Sequence, residues 1–171
     1  HVRRMGEEPT PPLHWRLERA EGFLLLNMCA AARAELEALP PDLRASVPAR
    51  VAWLQVAMAE QDWAQAAALA SRLRADEPLR PEFWIWEAYA RRRHESVAAA
   101  RAVLEQARQA FPRIGVLAYN LACYACVEGD LAQARPLLRE AFQLAPHLAE
   151  DAGEDEDLRA LWADLDGLTA S

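Results

Sequence analysis

Lysine is absent: the 19 basic residues are all arginine, set against 26 acids for a net charge of −7. Glycine is scarce, with 6 residues scattered among long Ala/Leu/Arg/Glu tracts. A sheet protein needs turn residues every 8 to 12 positions or so, so this scarcity excludes one and makes the fold class all-α. No run approaches the roughly 18 uncharged apolar residues of a membrane-spanning helix. The three cysteines, Cys29, Cys123 and Cys126, are an odd number and sit in apolar helical tracts, which predicts reduced thiols and excludes a disulfide scaffold. No basic start, apolar stretch and small-residue cleavage site opens the chain; a polar segment closed by Pro9, Pro11 and Pro12 stands there, and the expected location is cytoplasmic. G-x-x-x-x-G-K-[ST], H-E-x-x-H and G-x-S-x-G are all missing, so no catalytic residue is predicted and the chain is not read as an enzyme.

What is present suits one compact domain or one short repeat array: 171 residues, 53% of them apolar, with six tryptophans. The charge is unevenly placed. Residues 147–171 hold eight acids and a single base, Arg159, so the preceding chain carries 18 of each sign (26 less 8 and 19 less 1). A negative charge gathered at one end offers no basic stripe for nucleic acid and no attraction to an anionic membrane, and neither is an expected partner.

One period organises the rest. Pro78, Pro112 and Pro146 are evenly spaced (112 − 78 = 34 and 146 − 112 = 34), each after a helical tract. Phased by this interval, repeats begin at residues 13, 47, 81 and 115 and run 13–46, 47–80, 81–114 and 115–146. One column then reads Ala32, Ala66, Ala100, Ala134 and another Ala20, Leu54, Ala88, Ala122, with a break between them at Asn27, Gln61, Glu95 and Gly129. Two antiparallel helices approach closely only where facing side chains are small, so each repeat is a helix, a tight turn and a second helix. Stacked pairs need a terminal cap. DEDLRALWADLD, residues 155–166, is expected to supply it as a helix with Asp155 or Asp157 as N-cap and Leu158, Leu161, Trp162 and Leu165 as its apolar stripe. Residues 1–12 are read as a flexible segment and 147–171 as an acidic linker plus this capping helix.

On these residues the chain resembles a tetratricopeptide repeat protein, whose pattern W-x2-L-G-x2-Y, A-x3-F, P is met best by Tyr119, Leu121, Ala122, Gly129, Ala134, Leu138, Ala141 and Pro146. Repeat three supplies Trp84, Ala88, Ala100, Leu104, Ala107 and Pro112; repeat two departs with Trp53 and Leu54 at the Leu-Gly pair; repeat one has Arg44 where proline is expected. The resemblance implies an α-solenoid, a right-handed superhelix whose first helices line a groove for a peptide segment of a partner protein. Carried onto this chain, the groove positions are Leu17, Glu21 and Leu24; Val51, Gln55 and Met58; Ile85, Tyr89 and Arg92; Tyr119, Asn120, Cys123 and Cys126. Several of these apolar residues can equally be core, whereas Gln55, Tyr89 and Asn120 are suited to hydrogen-bonding a peptide. A clamp of Lys, Asn and Arg for acidic C-terminal tails, found in one subclass, is missing: its positions hold Leu17, Glu21, Ala52, Glu82 and Trp86, or one repeat later Val51, Gln55, Trp86, Val116 and Asn120.

Other signals carry two readings. Arg91, Arg92, Arg93 and His94 suit the C-terminal end of a helix, or a basic spot gripping an acidic ligand. Cys123 and Cys126 form a C-x-x-C inside a helix, read as packing, with a thiol redox or metal site as the minor alternative; no metal or cofactor is expected. The acidic stretch 150–157 is read as a solvated linker or as a strand of charge folded onto a basic surface. The expected function is an interaction module, adaptor, scaffold or chaperone-like, and the alternative is a self-associating structural oligomer.

Overall fold

The structure, a computed structural model, describes residues 13–169. The expected flexible segment 1–12 lies outside the described residues. Every regular element among them is a helix: α1 Leu13–Leu25, α2 Cys29–Glu37, α3 Pro41–Arg44, α4 Val47–Ala59, α5 Trp63–Asp76, α6 Pro81–His94, α7 Val97–Ala110, α8 Gly115–Val127, α9 Leu131–Leu144, α10 Leu148–Ala152, a 3-10 segment Glu156–Asp164 and α11 Leu165–Thr169. No described helix is long and apolar enough to cross a membrane.

Local chemistry sets these boundaries. Asn27 (φ 58°), Gln61 (φ 59°) and Gly129 (φ 81°) are left-handed. At each, the next amide reaches back five residues, Met28 to Phe23 O at 2.8 Å, Asp62 to Ala57 O at 2.9 Å and Asp130 to Ala125 O at 2.8 Å, which closes the helix in a Schellman arrangement. The following helices are then opened by Asp62, which accepts from Gln65 N at 3.1 Å, and Asp130, which accepts from Gln133 N at 3.0 Å. The α6–α7 turn reaches the same end differently: Glu95 keeps a negative φ of −115° and Ser96 is the N-cap, accepting from Ala99 N at 3.1 Å.

The chain divides into two units, residues 1–69 and 70–171, the division falling within α5. In the first, Ala20, Ala32, Leu36, Leu39, Ala49, Ala52 and Val56 form the core where α1, α2 and α4 meet. Arg44 stands here in place of a helix-ending proline, and it ends α2 by other means: its guanidinium donates to Leu39 O at 2.6 Å and to Glu37 O, satisfying carbonyls that the helix leaves open.

In the second unit the core runs from Ala88, Ala100 and Leu104 through α8 to Leu138, Ala141 and the C-terminal Leu158, Leu161 and Leu168. Two expectations are corrected in this region. The cap over residues 155–166 is not an α-helix but a 3-10 segment continued by short α11, with Asp155 as N-cap accepting from Asp157 N at 3.0 Å. With three residues per turn, Leu158 and Leu161 eclipse one another and both bury completely against α8, while Trp162 and Leu165, the other two residues of the expected stripe, pack partly buried against the same core. Nor is the acidic stretch a wholly solvated linker: Asp155 and Asp157 are half-buried against α6 and α8.

Candidate functional site

Helical spacing puts Ile85, Tyr89 and Arg92 on one face of α6, and Tyr119 and Cys123 one turn apart on α8 with Asn120 and Tyr124 beside them. Ile85, Tyr89, Arg92, Asn120 and Cys123 surround a recess of about 210 Å³, completed by Arg93, Tyr124, Asp155 and Asp157. Tyr119 lies next to it, in a shallower hollow of about 410 Å³ shared with Val116, Leu148 and Asp151; Asn120 and Asp155 border both.

The contacts in the recess are made by charge. Arg92 grips Asp157 with two nitrogens, Nη2 to Oδ1 at 2.7 Å and Nη1 to Oδ2, and lies over the Tyr124 ring at 5.4 Å. The hydrogen bond to Asp157, reinforced by that carboxylate's charge, holds Arg92 above its ordinary basic range even though partial burial opposes it. Tyr119 donates its hydroxyl to Asp155 Oδ2 at 2.9 Å, and the Cys123 thiol donates to the same oxygen at 3.6 Å. Burial first, then the hydrogen bond to Asp155, push the Tyr119 phenol up; burial first, then the charges of Asp155 and Asp157, push the Cys123 thiol up. Burial also raises Cys126, and it raises Tyr124 to about 12, against the opposing pull of Arg92. These thiols are held protonated, the reverse of what thiolate chemistry needs.

Cys123, Asp155 and Asp157 offer a sulfur and two carboxylate oxygens within 4.8 Å of one another. Those atoms are engaged by Arg92, Tyr119 and one another, so an ion there would have to displace a bidentate guanidinium.

The other sequence-predicted positions belong to residues 1–69. Leu17 and Leu24 pack half-buried against that unit's core, Val51 and Met58 are half-buried, and Glu21 and Gln55 are exposed. In the second unit Tyr119, Cys123 and Cys126 are buried, Asn120 is half-buried and Tyr89 keeps 39% of its surface exposed. Sequence reasoning placed neither Asp155 nor Asp157 in the site, nor Tyr124. The signal for the acids was present, since the sequence holds an acid-rich terminus and three consecutive arginines, Arg91–Arg93, in an otherwise neutral chain.

No protein-family model matches the chain, and no curated protein is significantly similar to it.

Proposed function

We propose that the chain is a tetratricopeptide-like interaction module, a right-handed superhelix of helix pairs, that binds a peptide segment of a partner protein against its first helices. On this reading it acts in the cytoplasm by binding and not by catalysis. What supports the repeat reading is the recurrence of helix starts at residues 13, 47, 81 and 115, one interval of 34 each time (47 − 13, 81 − 47, 115 − 81), with fully buried Ala32, Ala66, Ala100 and Ala134 at one repeat position. The observation that carries the binding reading is the recess between α6 and α8, which already holds a stretch of polypeptide by its side chains. Tyr and Arg, the residue types that dominate binding hot spots, line it.

The test is a partner captured on the immobilised chain and titrated calorimetrically. Tyr89→Ala is expected to weaken it about thirtyfold, roughly 2 kcal/mol, and Asn120→Ala by less, whereas Gln106→Ala and Gln133→Ala on exposed second-helix positions leave the affinity unchanged. A partner lost with the second pair and indifferent to the first overturns the reading.

Self-association is favoured by one local feature, the α1–α2 turn, where Leu25, Leu26 and Met28 are 83%, 70% and 47% exposed. Light scattering over a concentration series separates the two, since only self-association gives a mass that climbs with concentration.

A further inference from the structure

Resting on the peptide-binding reading above, we infer that the recess at Arg92 and Tyr119 is a receptor for acidic segments of the form Asp-x-Asp-Leu-x-x-Leu, that residues 155–161 are a copy of this ligand held in cis, and that a partner protein presenting such a segment replaces it.

Four features of the molecule lead there. The cis segment is recognised by its side chains: Asp157 by a bidentate arginine, Asp155 by a tyrosine hydroxyl, and Leu158 and Leu161 by complete burial. It also carries its own shape, because the Asp155 carboxylate caps the segment at Asp157 N and Trp162 Nε1 donates to Asp155 O at 3.2 Å. A segment of the same pattern in another chain would bring both the anchors and the turn that presents them. Second, the segment is 3-10, not α, and the ion pair that ties it to α6 joins Arg92 and Asp157, whose side chains are 26% and 27% exposed and therefore sensitive to salt. Third, the recess extends past the two aspartates to Tyr89 and to Arg93, whose guanidinium lies 3.5 Å from the Tyr89 ring, so its rim offers further arginine and tyrosine surface at the edge of the occupied part. Fourth, charges match: Arg92 pairs with Asp157 and Arg93 lines the same recess beside Asp155 and Asp157, at the end of α6. None of these residues stands at a position of the missing tail clamp.

A ligand tethered in cis competes at an effective concentration of the order of millimolar, so an untethered segment binds with an affinity reduced by the fraction of chains whose recess is open. Weakening the tethered copy therefore strengthens capture of the free one.

The probe is a fluorescein-labelled peptide GEDEDLRALWADL, the sequence of residues 153–165, titrated by anisotropy against four full-length chains: the unchanged protein, Asp155→Asn with Asp157→Asn, the same pair with Arg92→Gln, and Asp164→Asn. Asp164 belongs to the same segment but pairs with Arg135, away from the recess. The peptide is expected to bind the Asp155/Asp157 double variant at least about tenfold tighter than the unchanged chain, to bind Asp164→Asn like the unchanged chain, and to lose the gain when Arg92→Gln is added. Equal affinity for the unchanged chain and the double variant overturns the inference, and so does a gain that survives Arg92→Gln. If the double variant loses its helical circular dichroism, hydrogen exchange of the unchanged chain at saturating peptide decides: faster exchange over residues 156–168 supports displacement, and unaltered rates overturn it. Formation of an Arg92-dependent dimer in a mixture of the double variant, whose recess is open, with the unchanged chain, which carries the acidic segment, would make the occupant a second copy and overturn the assignment to a partner. A peptide that fails in every arm while a captured partner still depends on Tyr89 removes the acidic ligand alone and leaves the peptide-binding reading standing.

Discussion

Glu87 has no exposed surface, and its carboxylate is held between Arg74 and Arg91, which take one oxygen each, the Arg91 bond measuring 2.9 Å. The arginines stay partly in water and carry the desolvated acid between them, and Arg74 also lies 4.5 Å over the Trp84 ring. At Gly115 the constraint is space. A Cβ there would come within 2.8 Å of Ala145 Cβ and 3.0 Å of Ala141 O, the latter a backbone atom that cannot swing away. Gly115→Ala is expected to lower stability by about 1–3 kcal/mol, measured by urea unfolding, with no change in m-value. Titration supplies a second prediction. Tyr124, Tyr119 and Cys123 all ionise at higher pH in the folded chain than at the ordinary 10.0, 10.0 and 9.0. The unfolded chain thus releases these protons first. Their contribution to stability is complete below about pH 9 and is lost as pH rises towards and beyond 12. The melting temperature should fall steadily above pH 9, and Tyr124→Phe should make the fall shallower.

For the helix pairs, the decisive quantity is how near the backbones come. Ala100 and Ala134 are completely buried within the second unit, where α6 meets α7 and α8 meets α9, and no larger side chain fits at that approach without moving a helix. Ala100→Leu is expected to cost about 1–3 kcal/mol while Ala75→Leu, at an exposed position of α5, stays near neutral; equal melting temperatures would contradict the close-approach role. The helix termini show two chemistries solving one problem. Asn27, Gln61 and Gly129 reverse the chain through a left-handed residue, and the α6–α7 turn does so through Glu95, whose carboxylate is held by Arg91 at 3.2 Å. The break at all four positions is legible in sequence because each is polar or glycine and falls at the same place in the 34-residue interval. Which of them takes positive φ is not, since Gln at that conformation has no sequence signature.

At the scale of the whole chain, the C-terminal segment closes the second unit. Leu158, Leu161 and Leu168 bury there, and Arg135 ties Asp164 at 2.8 Å. Deleting residues 155–171 would expose apolar faces of α8 and α9 that this segment covers, and the truncated chain is expected to melt lower and to aggregate in light scattering. A truncated chain that stays monomeric and equally stable would mean that the segment is an appendage.

The helical class, the helix boundaries near 13, 47, 81 and 115 and the buried small-residue columns were readable from the amino acids alone. They follow from interactions within one or two turns: helix propensity, capping by Asp62, Ser96 and Asp130, and a hydrophobic period that local spacing imposes. The recess was only half readable. Its α6 and α8 residues are among those that the repeat resemblance implies for a groove, but the hydrogen bonds of Tyr119 and Cys123 to Asp155, 36 and 32 residues further along, have no counterpart in the sequence pattern. The meeting of Arg92 with Asp157, 65 positions apart, depends on where α10 and the 3-10 turn deliver the chain. Charge pattern announces that an acidic segment and an arginine cluster attract one another; it carries no information about distance, and folding alone brings the two within hydrogen-bonding reach.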